Sequence, residues 1–259
     1  MTEYIKVEDV EKGIARITIQ REEKRGALSL ALMEELISAF ETLAKREDQF
    51  RVAILTGTGK AFCSGLDLQE AAQESLIDKM AQHVAHLFKT IYTSPLVTIA
   101  AVQGDAIAGG AGLVAACDFA LLARDAKIGF PEVRRGLIAS QVAHLLLRQI
   151  RTRDVRELLL LGELQDSQKA LQMGLVNLAV EGSTLMDEAV EMARKVRLGG
   201  PFAIKQTKHL LQTPISANYI EGMQLAMSLF QMVRRSDEAQ DGLEAFVNKL
   251  SPSWVVNGC

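Results

Sequence analysis

The stretch that decides the fold is Val102-Gln-Gly-Asp-Ala-Ile-Ala-Gly-Gly-Ala-Gly-Leu-Val-Ala-Ala-Cys-Asp118. An apolar run from Leu96 to Val102 leads into it and is typical of a buried strand. Four glycines follow at 104, 109, 110 and 112, and the next residues favour a helix. Glycines at a helix start let a ligand approach the backbone N–H groups, where the helix dipole favours negative charge. Close packing of the strand against the helix accounts for the same glycines equally well.

The size and composition of the chain indicate an ordinary globular protein. Its 259 residues suffice for one large α/β domain, and 48% are hydrophobic against 24% charged. The net charge of −3 argues against general nucleic-acid binding, which needs a basic surface. The most apolar stretch, Ala106 to Cys117, is shorter than the roughly 20 residues needed to span a bilayer. We therefore expect neither a nucleic-acid partner nor an integral membrane protein.

The cysteines and histidines give no sign of a disulfide scaffold or a metal site. Cys63, Cys117 and Cys259 lie far apart without a CxxC pair, and the four histidines are scattered. The acidic N-terminal sequence has no apolar signal-peptide region. These features predict a reducing compartment and a cytoplasmic location, with no bound metal.

Hydrophobic periodicity predicts an α/β protein in the first part of the chain. Strands are expected at Ile14–Ile19, Arg51–Leu55 and Phe119–Ala123, in addition to the run before Val102. Apolar residues at helical spacing from Leu32 to Leu43 predict a helix, with Ser29 as its N-cap.

After about Ser140 the sequence becomes almost entirely helical, and one strand is predicted at Gly174–Leu178. We expect an α/β core over residues 1–195 and a helical C-terminal region over residues 196–259. The predicted helices are Val142–Ile150, Val155–Leu161, Met186–Val196, Phe202–Leu211 and Ile215–Val233.

Two nucleotide-binding motifs are incomplete in this sequence. Thr56-Gly57-Thr58-Gly59-Lys60-Ala61 has Ile54 where a phosphate loop needs glycine, and Ala61 where it needs serine or threonine. We interpret it as a turn that ends a strand. The dinucleotide fingerprint G-x-G-x-x-G is missing, so nicotinamide or flavin chemistry has no support.

Two further stretches favour a ligand site. Residues 60–69 contain a second glycine turn after a strand. Residues 126–137 carry Glu132 between Phe130-Pro131 and Val133, and burial among apolar neighbours would raise its pKa toward the range useful for proton transfer. On its own, a solvated glutamate beside two arginines is the more common situation.

Together, these motifs resemble the crotonase, or enoyl-CoA hydratase/isomerase, superfamily. The resemblance covers nearly the whole chain in the family's order. It includes Ala61–Leu68, Ile99–Asp118, Ala126–Gly136, Leu161-Gly162 with Ala170–Val176, and Asp241–Lys249. It implies an α/β spiral of ββα units, a helical C-terminal trimerisation region and coenzyme A thioester chemistry.

The resemblance also implies the site. An oxyanion hole falls on the backbone N–H groups of Leu66 and Gly109, with Gly110 as the neighbouring candidate for the second donor. Glu132 falls on the position of the second catalytic acid. Substrate contacts are expected at Lys24, Ala27, Ser64, Gly65, Asp67, Leu68, Gly110, Gly112 and Lys249. Coenzyme A is then part of the substrate, and no separate cofactor is expected.

One departure from the family pattern bears on the mechanism. Hydratases with two glutamates carry the first of them where this chain has Gly112, so Glu132 alone is expected to act as acid and base. A single acid at this position resembles two branches of the family. One hydrates branched or carboxylated enoyl-CoAs, which is the closer pattern here; the other shifts a double bond between carbons 3 and 2.

The roles of four residues that follow Glu132 in the sequence are open. Ser140 or His144 would orient a water molecule, although an exposed helix position is the more common role for His144. Arg134 and Arg135 would pair a substrate carboxylate, although at least one of them is expected on the surface. Cys63 is expected to be a small buried filler rather than a nucleophile.

These features predict a lyase that hydrates an enoyl-CoA. The alternatives are a Δ3-Δ2 enoyl-CoA isomerase and a catalytically weak acyl-CoA-binding homologue. Met227, Phe230, Met232 and Val233 crowd one late helix, so we expect an interface there, in a homotrimer or a dimer of trimers.

Overall fold

Between residues 50 and 129, successive strands alternate between two sheets. A computed structural model describes residues 4–212 and 219–256. Within them the strands are β1 Ile5–Glu11, β2 Gly13–Ile19, β3 Phe50–Gly57, β4 Ala61–Cys63, β5 Val97–Val102, β6 Asp105–Ile107, β7 Phe119–Ala123, β8 Ile128–Gly129, β9 Leu164–Gln165 and β10 Leu178–Val180.

Helices connect and cover these strands. The α-helices in the described residues are α1 Leu30–Ala44, α2 Leu68–Ala71, α3 Ile77–Tyr92, α4 Gly109–Ala116, α5 Ser140–Gln149, α6 Thr152–Arg156, α7 Ser167–Met173, α8 Leu185–Arg197, α9 Pro201–Gln212, α10 Tyr219–Arg234, α11 Asp237–Val247 and α12 Ser253–Val256. Short 3₁₀ segments lie at Glu22–Lys24, Glu74–Leu76 and Pro131–Arg135, and Glu157–Leu161 forms a π-helical turn. No helix in the described residues is long and apolar enough to cross a bilayer.

The strand order explains how the loops come together. The larger sheet runs β1-β2-β3-β5-β7-β10 and the smaller one β4-β6-β8-β9. The pairs β3/β4, β5/β6 and β7/β8 each place one strand in each sheet, and a helix follows each pair. This repeated ββα unit is the predicted spiral. The parallel pairing of β4 with β6 and of β6 with β8 sets the carboxyl ends of these three strands side by side.

The large sheet is covered on both faces, which explains its continuous apolar strands. Along β3, Ala53 and Leu55 belong to the core cluster that includes α1, whereas Val52 and Ile54 pack with α8 on the other face. The predicted strands at Ile14–Ile19, Arg51–Leu55 and Phe119–Ala123 are confirmed as β2, β3 and β7.

Helix α1 begins as its sequence predicts. Ser29 has an extended backbone, and its Oγ accepts a hydrogen bond from the Leu32 N–H at 3.3 Å. Leu32, Leu36 and Phe40 are fully buried at helical spacing. The predicted N-cap and buried face are both confirmed.

The strand predicted at Gly174–Leu178 is misplaced. Gly174 has φ +77° and ends α7, and the strand is β10, which starts at Leu178. Helix α7 and strands β1 and β9 had no sequence prediction. β9 is only two residues long and so carries no periodic pattern. The helix predicted at Ile215–Val233 is found as α10, and its first predicted residues lie outside the described ones.

The glycine that fixes α4 against β4 gives a first prediction. A Cβ at Gly110 would lie 2.0 Å from the Cys63 carbonyl oxygen, so Gly110→Ala forces backbone to move. We expect the free energy of unfolding to fall by about 1–3 kcal/mol or more, as in other overpacked sites, measured by chemical denaturation.

Gly222 provides the matched control, because it lies in the first turn of α10 and a Cβ there meets nothing within 4 Å. Gly222→Ala should be neutral or stabilise the protein by about 0.8–1 kcal/mol, the difference in helix propensity. Equal behaviour of the two variants would contradict the close approach at Gly110.

Candidate active site

Two backbone N–H groups meet where the loop after β4 approaches the start of α4. The Leu28 N–H donates to Gly65 O at 2.8 Å, and the Asp67 N–H donates to Leu28 O at 2.9 Å. This bridge turns the intervening N–H of Leu66 away from Leu28. Among the described residues, neither this N–H nor that of Gly109 has an acceptor. A Cβ at Gly109 would lie 3.9 Å from the Leu66 nitrogen, so the two donors are neighbours.

The backbone before Gly109 is held in an unusual conformation. Ala108 has φ +54° and ψ −119°, a region that costs a non-glycine residue about 1–3 kcal/mol. Its N–H donates to Gly129 O at 2.8 Å, and its carbonyl accepts from the Gly112 N–H at 2.9 Å. These bonds fix the peptide that carries the Gly109 N–H at the first turn of α4. Two fixed donors at a helix start stabilise negative charge on an oxygen placed between them.

Arg21 fixes the loop that carries Leu66, and the sequence analysis missed it. Its side chain is buried, donates to Ala27 O at 2.6 Å and pairs with Asp67 at 2.8 Å. Asp67 also accepts from the Gln69 N–H at 3.0 Å, capping α2. Burial alone would raise the pKa of Asp67, but the Gln69 hydrogen bond and Arg21 outweigh it and lower that pKa. Because Asp67 is far from Arg21 in the sequence, the sequence alone does not distinguish this arginine from a surface cation.

The structure brings the two predicted substrate-binding segments together. Residues 24–28 lie alongside residues 64–68, joined by the Leu28 bridge and by the Ser64 N–H, which donates to Arg25 O at 3.0 Å. Lys24 is exposed, with its Nζ 3.3 Å from the Gln69 side-chain oxygen. Ala27 is buried and Leu68 is 70% exposed. The pair of segments therefore offers both a cationic and an apolar surface beside Leu66.

Glu132 stands on the 3₁₀ segment after β8, next to the same helix start. Strand β8 ends at Gly129, whose carbonyl holds Ala108, and Glu132 follows three residues later. Its Oε2 is buried and has no hydrogen-bond partner among the described residues. Burial raises the pKa of Glu132, opposed by its own backbone N–H and by the charge of Arg135. A raised pKa makes the carboxylate a stronger base than a solvated glutamate, which suits it to taking and returning a proton.

The space beside Gly112 is filled by a phenylalanine that the sequence analysis did not single out. A Cβ at Gly112 would lie 2.3 Å from Phe88 Cζ and 3.0 Å from Val142 Cγ2. Phe88 comes from α3 and Val142 from α5, and both are buried. The position thus faces an apolar wall, and Glu132 is the acid found on the predicted catalytic positions.

The remaining predicted residues lie at the surface of the protein. Arg134 is held at the surface by Leu161 O at 2.8 Å and Glu163 at 3.2 Å, whereas Arg135 is exposed. Ser140 and His144 are exposed on α5, the position considered more common for His144. Lys249 is exposed beyond α11, and α11 packs on α10.

The thiols in the described residues are inert. Cys63 and Cys117 are free and buried, and burial raises the pKa of each to about 12. The prediction of Cys63 as a buried filler is confirmed, because its backbone and Cβ pack against Gly110. Cys259 lies outside the described residues. No cluster of three or more metal-ligating side chains occurs in the described part of the chain.

The fold and the candidate site define a class of protein: an α/β spiral in which two backbone N–H groups without an acceptor lie near a segment that carries a buried carboxyl oxygen. The family model for enoyl-CoA hydratase/isomerase matches residues 9–257. A Thermus thermophilus protein provisionally named an enoyl-CoA hydratase is 34% identical, covering 95% of this chain and 99% of its own. Mevalonyl-coenzyme A hydratase of Aspergillus fumigatus is 32% identical, over 93% and 91% of the two chains. The crystal structure of enoyl-CoA hydratase from Bacillus anthracis superposes with a TM-score of 0.91 at 32% identity, covering 96% and 98%.

The chain belongs to the enoyl-CoA hydratase/isomerase family. The predicted crotonase fold is confirmed by the superposition, and the predicted enzyme class by the hydratase names of the relatives. The crotonase resemblance drawn from the sequence motifs is therefore correct.

Replacing Gly109 tests the donor pair. The side chain of Gly109→Val would crowd the Leu66 N–H and the oxygen position between the donors, so turnover should fall by about 10²–10³-fold, the usual cost of one lost oxyanion donor. Steady-state kinetics with an enoyl-CoA measure the effect.

Gly109→Ala is the folding control, since the nearest atom to its Cβ would be the flexible end of Leu28 at 3.2 Å and the nearest backbone atom would be Gly65 Cα at 3.6 Å. It should fold normally and lose less activity than the valine variant. Full activity of Gly109→Val would remove Gly109 from the donor pair and make Gly110 the candidate.

The wall at Gly112 gives a double-mutant prediction. Gly112→Glu drives a carboxylate into Phe88, so it should lower both thermal stability and activity. Combined with Phe88→Ala, which removes the ring, the same substitution should destabilise the protein less than it does alone.

The coupling between the two sites is measured by a double-mutant cycle of unfolding free energies. Strictly additive effects would mean that Phe88 is not what excludes a side chain at Gly112. A several-fold gain in hydratase turnover by Gly112→Glu alone would instead identify a degraded two-acid site.

Proposed function

We propose that this enzyme adds water across the α,β double bond of an enoyl-CoA thioester. One observation carries the proposal: the unpartnered N–H groups of Leu66 and Gly109 meet beside the segment that bears the buried, unpartnered carboxyl oxygen of Glu132. A thioester conjugated with a double bond needs these two functions. Its carbonyl oxygen becomes negatively charged as a nucleophile adds, and one proton must be removed and another delivered.

In the proposed mechanism the thioester oxygen accepts hydrogen bonds from Leu66 and Gly109. The Glu132 carboxylate removes a proton from water as the water oxygen bonds to the β carbon, and the π electrons move onto the thioester oxygen as an enolate. The donors stabilise this charge because they are fixed before the reaction begins. As the enolate collapses back to the thioester, its α carbon takes a proton from the Glu132 carboxyl group. One carboxyl group therefore serves both transfers, and the hydroxyacyl-CoA leaves with the enzyme unchanged.

The substrate contacts follow from the paired segments 24–28 and 64–68. We propose that Ser64 to Leu68 runs along the pantetheine arm and that Lys24 meets a phosphate of coenzyme A. Ala27 and Gly65 would allow close approach of the substrate, and Lys249 is a further candidate for a phosphate contact. The predicted contacts at Gly110 and Gly112 would be indirect, because Gly110 packs against Cys63 and Gly112 against Phe88. Coenzyme A is part of the substrate in this mechanism, and the residues described need no separate cofactor for the two proton transfers.

A Δ3-Δ2 enoyl-CoA isomerase is the second candidate, and the apolar wall at Gly112 favours it. Shifting a double bond requires one group that removes a proton from one carbon and returns it to another. Glu132 suffices for this, and no activated water is needed. A weak acyl-CoA-binding homologue is the third possibility carried from the sequence.

One pair of assays separates the three. Incubation with crotonyl-CoA lowers the absorbance of the conjugated thioester if the enzyme is a hydratase. A 3-enoyl-CoA gains this absorbance if it is an isomerase. Tight binding with no change in either assay identifies the binder. A panel of enoyl-CoA thioesters of different length, branching and terminal charge then defines the acyl group.

We also propose a reducing compartment, the cytoplasm, for this enzyme. The free, buried thiols of Cys63 and Cys117 support this, since neither carries a disulfide.

Assembly is proposed to occur through the C-terminal helices, as a homotrimer or a dimer of trimers. On α10, Met227 is 55% and Phe230 68% exposed, and Met232 is also exposed, whereas Val233 is partly covered. A helix with this much apolar surface in water is typical of an interface.

Glu132→Gln is the central test of the mechanism. The amide keeps the size of the side chain but cannot accept the proton, so turnover should fall by about 10²–10⁴-fold. Thioester binding, measured by calorimetry with a saturated acyl-CoA, should survive because the oxyanion donors are backbone groups. Retained turnover would remove Glu132 from the mechanism.

The same variant should change the pH dependence of stability. A carboxyl group whose pKa is raised on folding favours the folded state below its unfolded pKa, and this advantage is lost as pH rises through the folded value. Glu132→Gln should therefore be more stable than the parent near neutral pH and nearly equal to it in acid. Denaturation across this pH range measures the difference; an amide variant less stable at neutral pH would contradict a raised pKa.

Sedimentation tests the assembly. The protein should sediment as a trimer or hexamer at micromolar concentration, and Phe230→Glu should shift it toward smaller species by placing a charge in the apolar contact. Glu221→Gln, on the same helix, is the control for a change of charge alone. A monomeric parent protein would contradict the proposal.

A further inference from the structure

A large cavity lies at the amino ends of strands β5 and β7 of the larger sheet, away from the candidate active site. It has a volume of about 960 Å³ and is bounded by the first residues of β5 and β7, Val97 and Phe119, and by the inner side of α9. The donor pair and Glu132 instead follow the carboxyl ends of the strands, where α/β sheets usually bind ligands. The cavity therefore belongs to a different part of the molecule.

A buried ion pair closes one side of this cavity. Lys208 of α9 is only 8% exposed, and its Nζ lies 2.6 Å from Asp118 Oδ2 and 2.8 Å from Leu96 O. Asp118 also accepts hydrogen bonds from the Thr98 N–H at 2.7 Å and hydroxyl at 3.0 Å. This network holds α9 to the sheet, and it leaves no uncompensated negative charge on the cavity wall.

Two other cations on the wall lack a carboxylate partner. Arg148 donates to Gln212 O at 2.8 Å, and neither it nor Lys195 forms an ion pair within the described residues. The rest of the lining is largely apolar, with Val196, Ile204 and Leu211 forming one side. An apolar chamber of several hundred Å³ with a few polar groups is the usual form of a small-molecule site. Arg148 and Lys195 are exposed at its rim, and two positive charges there favour an anionic ligand.

We propose that this cavity is a second ligand site, for an anionic amphiphile of the fatty-carboxylate type. The carboxylate head lies at the rim, attracted by the positive charges of Arg148 and Lys195, and the alkyl chain lies against Val196, Ile204 and Leu211. Such a ligand contacts α9 and the sheet together, so binding favours the docked position of α9. The site does not depend on the hydratase reaction, and its occupancy is measured separately from turnover.

Sodium decanoate below its micellar range is the probe, titrated calorimetrically into the full-length protein. We expect saturable binding at one site per chain that saturating coenzyme A does not displace. Decanol, which keeps the chain and lacks the charge, should bind roughly tenfold or more weakly, because it loses the charged hydrogen bonds.

Paired variants assign the binding to this cavity. Arg148→Gln with Lys195→Gln should weaken decanoate binding by about tenfold or more. Lys89→Gln with Arg153→Gln removes the same charge from exposed positions outside the cavity lining and should leave the affinity unchanged. Thr207→Trp, at an exposed position on the lining, should block the chamber while the thermal unfolding temperature stays near that of the parent.

Several results would overturn the proposal. They are absence of saturable decanoate binding, its displacement by coenzyme A, or equal affinity in the two charge-removal pairs. A change of oligomeric state in Thr207→Trp, seen by sedimentation, would identify the chamber as a contact between subunits instead of a ligand site.

Discussion

The close approach of helix α4 to the end of strand β4 is the constraint on which the site depends. A single added carbon at Gly110 would lie 2.0 Å from the Cys63 carbonyl oxygen. This contact brings the first turn of α4 against residues 63–66, and only then do the N–H groups of Leu66 and Gly109 face the same point. The strained backbone at Ala108 persists because neighbouring hydrogen bonds and packing hold both of its sides. The geometry of this site therefore depends on a strained backbone at Ala108 and on the absence of a side chain at Gly110.

Burial affects both of the functions proposed for the site. Donors aimed at an oxygen are more effective where water is excluded, because little else screens the developing charge. The Oε2 of Glu132 is buried without a hydrogen-bond partner among the described residues, and burial raises the pKa of that group. Its carboxylate is therefore a stronger base than that of a glutamate in water. A site of this kind sacrifices some folding stability for reactivity.

Phe88 and Val142 face Gly112, and only one of the two predicted catalytic positions carries an acid. With Glu132 on one predicted catalytic position and an apolar surface facing the other, the described residues supply one group for proton transfer. Hydration and double-bond migration both fit one such group, since each begins with charge on the thioester oxygen. The difference between them lies in whether a water molecule or an allylic carbon is held near Glu132, which depends on the shape of the acyl group.

The sequence by itself determined the parts of this protein that rest on local rules. The N-cap at Ser29, the buried strands β3 and β7, and the glycines of α4 follow from periodicity and backbone chemistry, and the ordered motifs identified the family. Only the tertiary structure decided what depends on distant residues. Arg21 became the support of the Leu66 loop because folding brings it to Asp67. Gly112 faces Phe88 because α3 crosses α4. Strand β9 was missed because two residues have no period, and their strand character comes from pairing with β8. Packing partners far apart in the chain leave no local pattern, so these features appear only when the chain is folded.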